Sequence, residues 1–263
     1  MDSISSFLVG TSSEGVANYL YIVLFVASIV GGFVGSMSGG AGMITMPLLL
    51  LTGINPLQAL ATNKLQACIG SLTSATQYRK SGLKSMQKMP LILSIAFIFS
   101  ALGTISVQYI KIEILSRIIP LVMIAIGLYF LLSKKISDED RRSSSAFIFY
   151  LGLIISSFYG GLFGIGVGSF VLALLVSVGG YNLSSALGHS RWIVFGVNVA
   201  AMIFFTMGDN ILWILGILMC VGQSIGASFG VKMAIKHGAK IIRPIVVSLC
   251  FIISFKLILD EFL

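Results

Sequence analysis

The sequence predicts an all-α membrane protein, a polytopic helical bundle of two inverted repeats, each with a half-membrane helix after a glycine-rich break. Three observations carry this expectation. Of the 263 residues, 57% are hydrophobic and only 10% are charged, with a mean hydropathy of +1.02. A soluble domain carries roughly 25% charged residues, so this chain lacks the polar surface needed to dissolve. Several apolar runs reach the ~20 residues of a membrane-spanning helix. Finally, one order of features occurs twice: glycine break, short apolar piece, turn, then a long apolar helix carrying a cation.

In chain order, the N-terminal stretch before Val16 holds no Lys or Arg, so it lacks the basic region of a secretory signal. The first apolar run, Val16–Ser36, is therefore expected to remain as a helix. Gly31, Gly32 and Gly35 allow close helix approach, and SGGAG at 38–42 breaks the run. Met43–Thr52 is apolar but ten residues long, about 15 Å as a helix and half of a ~30 Å hydrocarbon core. It either re-enters or completes a crossing with the glycine stretch. GINP at 53–56 is a turn, with Pro56 suited to the first helical position.

Leu57–Tyr78 is long enough to span, contains ATNK at 61–64, and exits into the basic RKSGLKSMQK. Pro90–Ile110 spans next, KIEILSR reads as a link, and Ile118–Ser133 spans again. The polar segment KKISDEDRRSSS divides the chain into a first repeat, 1–133, a cytoplasmic linker, 134–145, and a second repeat, 146–263. The second repeat comprises Ala146–Gly168, the short piece Ser169–Val178, the turn GGYN at 179–182, and the span Leu183–Met207 with GHSR at 188–191. A tight GDN link, the span Ile211–Ile235, the basic KHGAKIIR and a last span, Pro244–Leu259, complete it.

With a shift of 127 residues, Leu48, Gly53, Asn55, Ala59 and Leu60 fall on Leu175, Gly180, Asn182, Ala186 and Leu187, and Lys64 falls on Arg191. After a two-residue slip, Gly32 and Gly35 match Gly161 and Gly164. If each short piece completes a crossing, each half crosses five times and the second half is inverted. The segments 79–88, 134–142 and 232–243 then all face the cytoplasm, and they hold twelve of the seventeen Lys and Arg residues, as the positive-inside rule requires. Re-entrant pieces with four crossings would place the third cluster outside.

The net charge of +8 sits in these loop clusters, with no basic helix or aromatic-basic platform, so nucleic acid is not an expected partner. The expected partners are a small anion and the lipid bilayer, and a homo-oligomer is compatible with the layout. Cys68, Cys220 and Cys250 are isolated in apolar runs and read as packing residues, with no metal spacing. No cofactor or metal is expected. GxSxG, HExxH and Walker patterns are missing, and GIGVGS at 164–169 lies between membrane segments rather than after a Rossmann strand. Enzyme activity is not expected.

Lys64 and Arg191 are the sharpest signals. A cation at bilayer depth costs from ~2.5 kcal/mol upwards and marks a functional site by default. The plainer alternative is a cation that snorkels or caps a helix. All nine Asp and Glu residues fall in termini or links, so the expected counter-ion is a bound anion. Half-helices that start after glycine breaks can aim backbone N–H groups and positive dipole ends at it; this nominates Gly39, Gly40 and Gly42, and in the second break Gly166 and Gly168. Thr62, Asn63 and Gln66 around Lys64, and His189 and Ser190 before Arg191, can donate hydrogen bonds to its oxygens. His189 can also couple proton movement to transport. Asn198 and Gln223 read as helix–helix glue.

The pattern GGxxGxxxGxG, short helix, PLLLLxGxxPxxAxATNK, repeated in weaker form, resembles the sulfite exporter TauE/SafE family of membrane transporters. The similarity covers almost the whole chain and is strongest over 31–82. The second half departs from it, since GIGVGSF has fewer glycines and GHSR replaces a threonine-serine pattern. The resemblance implies secondary, multi-pass transport of small anions, typically sulfite or organosulfonates, across a bacterial inner membrane, with export the direction in the family's name. The residue pattern itself says only "anion". A non-transporting membrane scaffold or assembly protein is the competing reading.

Overall fold

A computed structural model describes residues 18–82, 88–132 and 145–237. Among these residues it is all-helical, with nine helices and no strand. In chain order they are α1 (Asn18–Ser38), α2 (Ala41–Leu51), α3 (Pro56–Lys80), α4 (Met89–Gln108), α5 (Ile112–Leu132), α6 (Ala146–Leu162), α7 (Val167–Ser177), α8 (Leu183–Met207) and α9 (Trp213–His237). The expected linker core, 134–144, and the last span, Pro244–Leu259, lie outside the described residues, as do parts of all three basic clusters.

Among the described residues, four segments are long and apolar enough to cross a membrane: Leu20–Ser38, Met89–Gln108, Leu183–Met207 and Trp213–Lys236. The distribution of polarity is inverted relative to a soluble bundle. Large apolar side chains such as Ile22 on α1, Ile98 on α4, Leu121 on α5, Phe147 on α6 and Phe229 on α9 face outward. Lys64, Arg191, Asn63, Gln66, Asn198 and Gln223 are buried. Lipid is the solvent that makes such a surface favourable, because exposed apolar area on this scale is not stable in water.

Local sequence sets most boundaries. Asn55 caps α3 by accepting from Leu57 N at 2.9 Å, with Pro56 in the first turn, where its missing N–H costs nothing. Asn182, its counterpart under the 127-residue shift, caps α8 by accepting from Ser185 N at 2.8 Å. The two half-helices begin differently. Gly40 and Gly166 are their N-caps, and neither supplies a side-chain hydrogen bond. Each of the two helices is 11 residues long, about 16 Å at 1.5 Å per residue.

Two expectations are corrected. KIEILSR is largely helix rather than link, because α5 begins at Ile112 and carries Pro120 in its interior. The second break is also shorter than expected, so that α7 starts at Val167 rather than Ser169.

Close glycine contacts define how the helices run. The Cα–H face of Gly31 meets Thr45 and that of Gly35 meets Ala41, so α2 folds back antiparallel along α1. Gly152 meets Leu174 and Gly160 meets Val167, so α7 folds back along α6 in the same way. Across the halves, α1 lies parallel to α9, with Gly222 at Phe25 and Gly230 at Phe33. α3 also lies parallel to α9: Leu212 N donates to Thr62 Oγ1 at 3.1 Å, and Gln77 Nε2 donates to Ser228 Oγ at 2.6 Å. α4 runs parallel to α8, with Ser100 Oγ donating to Val197 O at 2.7 Å and Gln108 Nε2 to Phe204 O at 3.3 Å. The principal packing thus joins one half of the chain to the other.

Candidate functional site

The two glycine breaks meet at the centre of this packing. Gly39, with φ +88°, lies against the backbone of Gly168 and Ser169, and Ser169 Oγ donates to Ser38 O. Gly39 and Gly168 are equivalent in the slipped register that matches Gly35 to Gly164. The two breaks therefore rest on each other.

The cations cross this junction in both directions. Lys64, on α3, reaches the end of α6, where its Nζ donates to Gly160 O and packs against Gly164. Arg191, on α8, reaches the end of α1, where its Nη1 donates to Gly35 O. Lys64 is 1% and Arg191 3% exposed. Each cation thus lies near the C-terminal end of a helix from the other half of the chain, where the last carbonyls concentrate negative partial charge.

Those carbonyls do not use up the charge. Arg191 Nη2 is buried without a hydrogen-bond partner. Among the described residues the only acids are Glu113 and Asp209, both exposed.

A cavity of about 40 Å³ opens beside the two cations. At roughly 10–15 Å³ of such space per water molecule, it has room for about three waters, the scale of a small oxyanion. Its wall combines Gly32, Gly35, Ser36, Gly39, Ala41, Gly42, Asn63, Lys64, Ala67, Gly70, Ser71, Ser74, Gly164, Val167, Arg191, Val194, Asn198 and Gln223. The first turn of α2 and Val167 at the start of α7 are both in it. These two helix starts bring the positive ends of their dipoles to the same space.

Five of the nominated residues, Gly39, Gly42, Asn63, Lys64 and Arg191, line the cavity. Asn63 is held by two donors, Thr45 Oγ1 at 2.7 Å and Gln66 Nε2 at 2.8 Å, both on its Oδ1. That arrangement leaves its Nδ2 as the end near Gly42. Gln66 therefore acts through Asn63 and does not line the cavity. Gly168 carries the contact with Gly39, while Gly40 and Gly166 begin the half-helices. Thr62 ties α3 to α9 through Leu212 N. Ser190 Oγ donates to Leu187 O at 2.8 Å and accepts from Arg191 Nε at 3.2 Å, which steers the guanidinium. His189 packs against Tyr181, with ring centroids 5.3 Å apart, away from the cavity wall.

Reading from sequence overlooked the small-residue face of α3. Ala67, Gly70, Ser71 and Ser74 follow Asn63 and Lys64 at helical spacing, so one face of one helix supplies a third of the wall. Asn198 and Gln223, read from the sequence as helix–helix glue, both border the cavity.

Comparison with known proteins agrees with this architecture. The family model "Sulfite exporter TauE/SafE" matches residues 24–257. The chain is 38% identical over 245 residues to a Haemophilus influenzae protein named "Probable membrane transporter protein", covering 92% of this chain and 96% of the relative. It is 36% identical over 242 residues to the Escherichia coli K12 "Probable membrane transporter protein YfcA", covering 91% and 90%. A Sinorhizobium relative, "Probable membrane transporter protein ORF9", is 37% identical over 250 residues, covering 94% and 95%. No solved structure matches the chain. With a family model spanning most of its length and full-length relatives above 35% identity, this chain belongs to the sulfite exporter TauE/SafE family.

Proposed function

We propose that the protein is a secondary transporter that carries small anions, such as sulfite or organosulfonates, out across a bacterial inner membrane, holding them between two inverted repeats. The observation that carries this reading is the pair of buried cations, Lys64 and Arg191, on one small cavity with no described carboxylate near them. Two fixed positive charges in a low-dielectric interior require negative charge close by. The carbonyls of Gly160 and Gly35 supply part of it, and an anion supplies the remainder. The family and the names of its full-length relatives agree with transport.

Helix directions support the inverted arrangement. α1, α3 and α9 share one direction, and the tight GDN link makes α8 and its parallel partner α4 run the other way. The turn at 179–182 reverses α7 into α8, and α7 is antiparallel to α6, so α6 runs with α8 and against α1. The first helices of the two repeats are thus opposed. Divided at the polar linker, the halves 1–133 and 146–263 each contribute one half-helix, one long cation-bearing helix and one break to the junction.

In this scheme the crossed contacts are the mechanism's moving parts. An anion entering between Lys64 and Arg191 competes with Gly160 O and Gly35 O for the same donors. Each competing bond ties a cation of one repeat to a helix end of the other. Anion binding then loosens the ties that hold the repeats together, and a rocking motion between repeats carries the site from one side to the other. The test is anion flux into proteoliposomes. Lys64→Ala and Arg191→Ala should each abolish flux while the protein still purifies as a folded species; unchanged flux in both variants rules the proposal out.

One observation favours a second reading. Because both cations donate to helix-end carbonyls, they also serve as locks between the halves, as a non-transporting scaffold would need. Thermal stabilisation by sulfite or a sulfonate, lost in Lys64→Ala, separates the two. A ligand at concentration L bound to the native site stabilises by RT ln(1 + L/Kd), and a general salt effect would survive the substitution.

A further inference from the structure

Gln223 on α9 is buried, 3% exposed, and borders the cavity. Its Oε1 has no hydrogen-bond partner, and its Nε2 makes no hydrogen bond to the protein either. A residue serving as helix–helix glue would be bonded to the helix opposite. Four such bonds join α9 and the Leu212 just before it to α3, at Leu212, Cys220, Ser224 and Ser228, and none involves Gln223.

The surroundings are shaped to receive this side chain. A Cβ on Gly70 of α3 would collide with Gln223 Cγ and lie 2.9 Å from its Nε2; a Cβ on Gly31 of α1 would lie 3.5 Å from its Oε1. The backbone of Gly32 packs on that of Gln223 itself. Glycines on two helices therefore form a notch around an amide that satisfies neither of its own polar ends. A polar group this deeply buried is normally bonded, and for Nε2, the end that can donate to an oxyanion, the remaining partner is whatever occupies the cavity.

We propose, building on the anion-transport reading, that Gln223 is a third substrate-recognition group, which engages a compact oxyanion through its amide beside Lys64 and Arg191. Two cations select for charge but not for shape. A neutral amide held at a fixed place adds a directional donor, so that oxygens must lie where it points. The small volume of the cavity favours an inorganic oxyanion such as sulfite over a sulfonate with an organic tail.

The test is binding of sulfite and of a longer organosulfonate, sulfoacetate, to the full-length protein in detergent, by calorimetry, with thermal unfolding as the folding check. Gln223→Leu removes the amide at nearly constant volume. It should weaken sulfite binding by roughly 10- to 100-fold, the value of a hydrogen bond to a charged ligand. Gln223→Glu keeps the shape but places a carboxylate beside the cations. It should abolish binding without lowering the unfolding temperature, an outcome that a packing role does not produce. Sulfite should bind the wild type more tightly than sulfoacetate does. If Gln223→Leu and Gln223→Glu both keep wild-type affinity while Arg191→Ala loses it, the assignment of Gln223 fails and the anion site stands. If the wild type binds neither anion, both fall.

Discussion

Replacing Gly39 by alanine tests the junction of the two breaks, because its cost separates into two parts that a second variant can resolve. The first is conformational: at φ +88° a residue with a Cβ is strained by roughly 1–2 kcal/mol. The second is steric. A Cβ built on Gly39 lies 2.5 Å from Ser169 N and 2.7 Å from Gly168 Cα. Both are backbone atoms of the other half of the chain, so no rotamer change relieves the overlap, and overpacking of this kind costs about 1–3 kcal/mol. Gly53 provides the comparison, since its φ is +78° but nothing lies within 4 Å of a Cβ there. The gain from a less flexible unfolded chain is common to both and cancels. Gly39→Ala should therefore be less stable than Gly53→Ala by about 1–3 kcal/mol. At roughly 2–4 °C per kcal/mol for a chain of this size, the difference in apparent Tm is on the order of 2–12 °C, read by thermal unfolding in one detergent. Equal Tm values for the two variants would show that the breaks do not touch.

Other outcomes follow from the same contacts. Thr62→Val removes the acceptor for Leu212 N and leaves a buried N–H unpaired, so it should destabilise by about 1–3 kcal/mol; an unshifted unfolding curve would refute the tie between α3 and α9. In a cysteine-free background, Ser81→Cys and Asp209→Cys should react with a membrane-impermeant maleimide from opposite sides of the membrane, the first from the cytoplasm. Labelling of both from one side overturns the inverted arrangement. Proton coupling through His189 predicts that His189→Gln flattens the pH dependence of flux, and a fully retained profile counts against it.

Much of the helical layout was legible in the chain because it rests on local chemistry. The Asn–Pro pair at 55–56 and Asn182 cap helices with their own side chains, and the polar turn residues on either side of α8 bound it as expected. The start of α5 was misjudged because Lys111, Glu113 and Arg117 resemble a loop, whereas the helix begins at Ile112 and all three charges lie exposed around its first two turns. The reassignment of Gln66 and Thr62 has a different cause. Both are polar residues in an apolar helix, and sequence alone does not say whether their partner is a ligand or another helix. Gln66 was found to bond Asn63 and Thr62 to accept from α9.

Composition and periodicity alone determined residence in lipid, the positions of most helices and the duplicated order of break, half-helix and cation, and they singled out Lys64 and Arg191. These follow from properties that act within a few turns of chain: hydropathy, glycine and proline geometry, and the cost of a charge away from water. Only the tertiary structure decided what each cation touches. Lys64 bonds a carbonyl 96 residues away and Arg191 one 156 residues away. Gln223 likewise reaches the cavity only because Gly31, Gly32 and Gly70 let three helices close around it. Such contacts depend on which helix faces pack together and on the absence of a Cβ at each crossing, quantities set by the whole bundle rather than by any stretch of the chain.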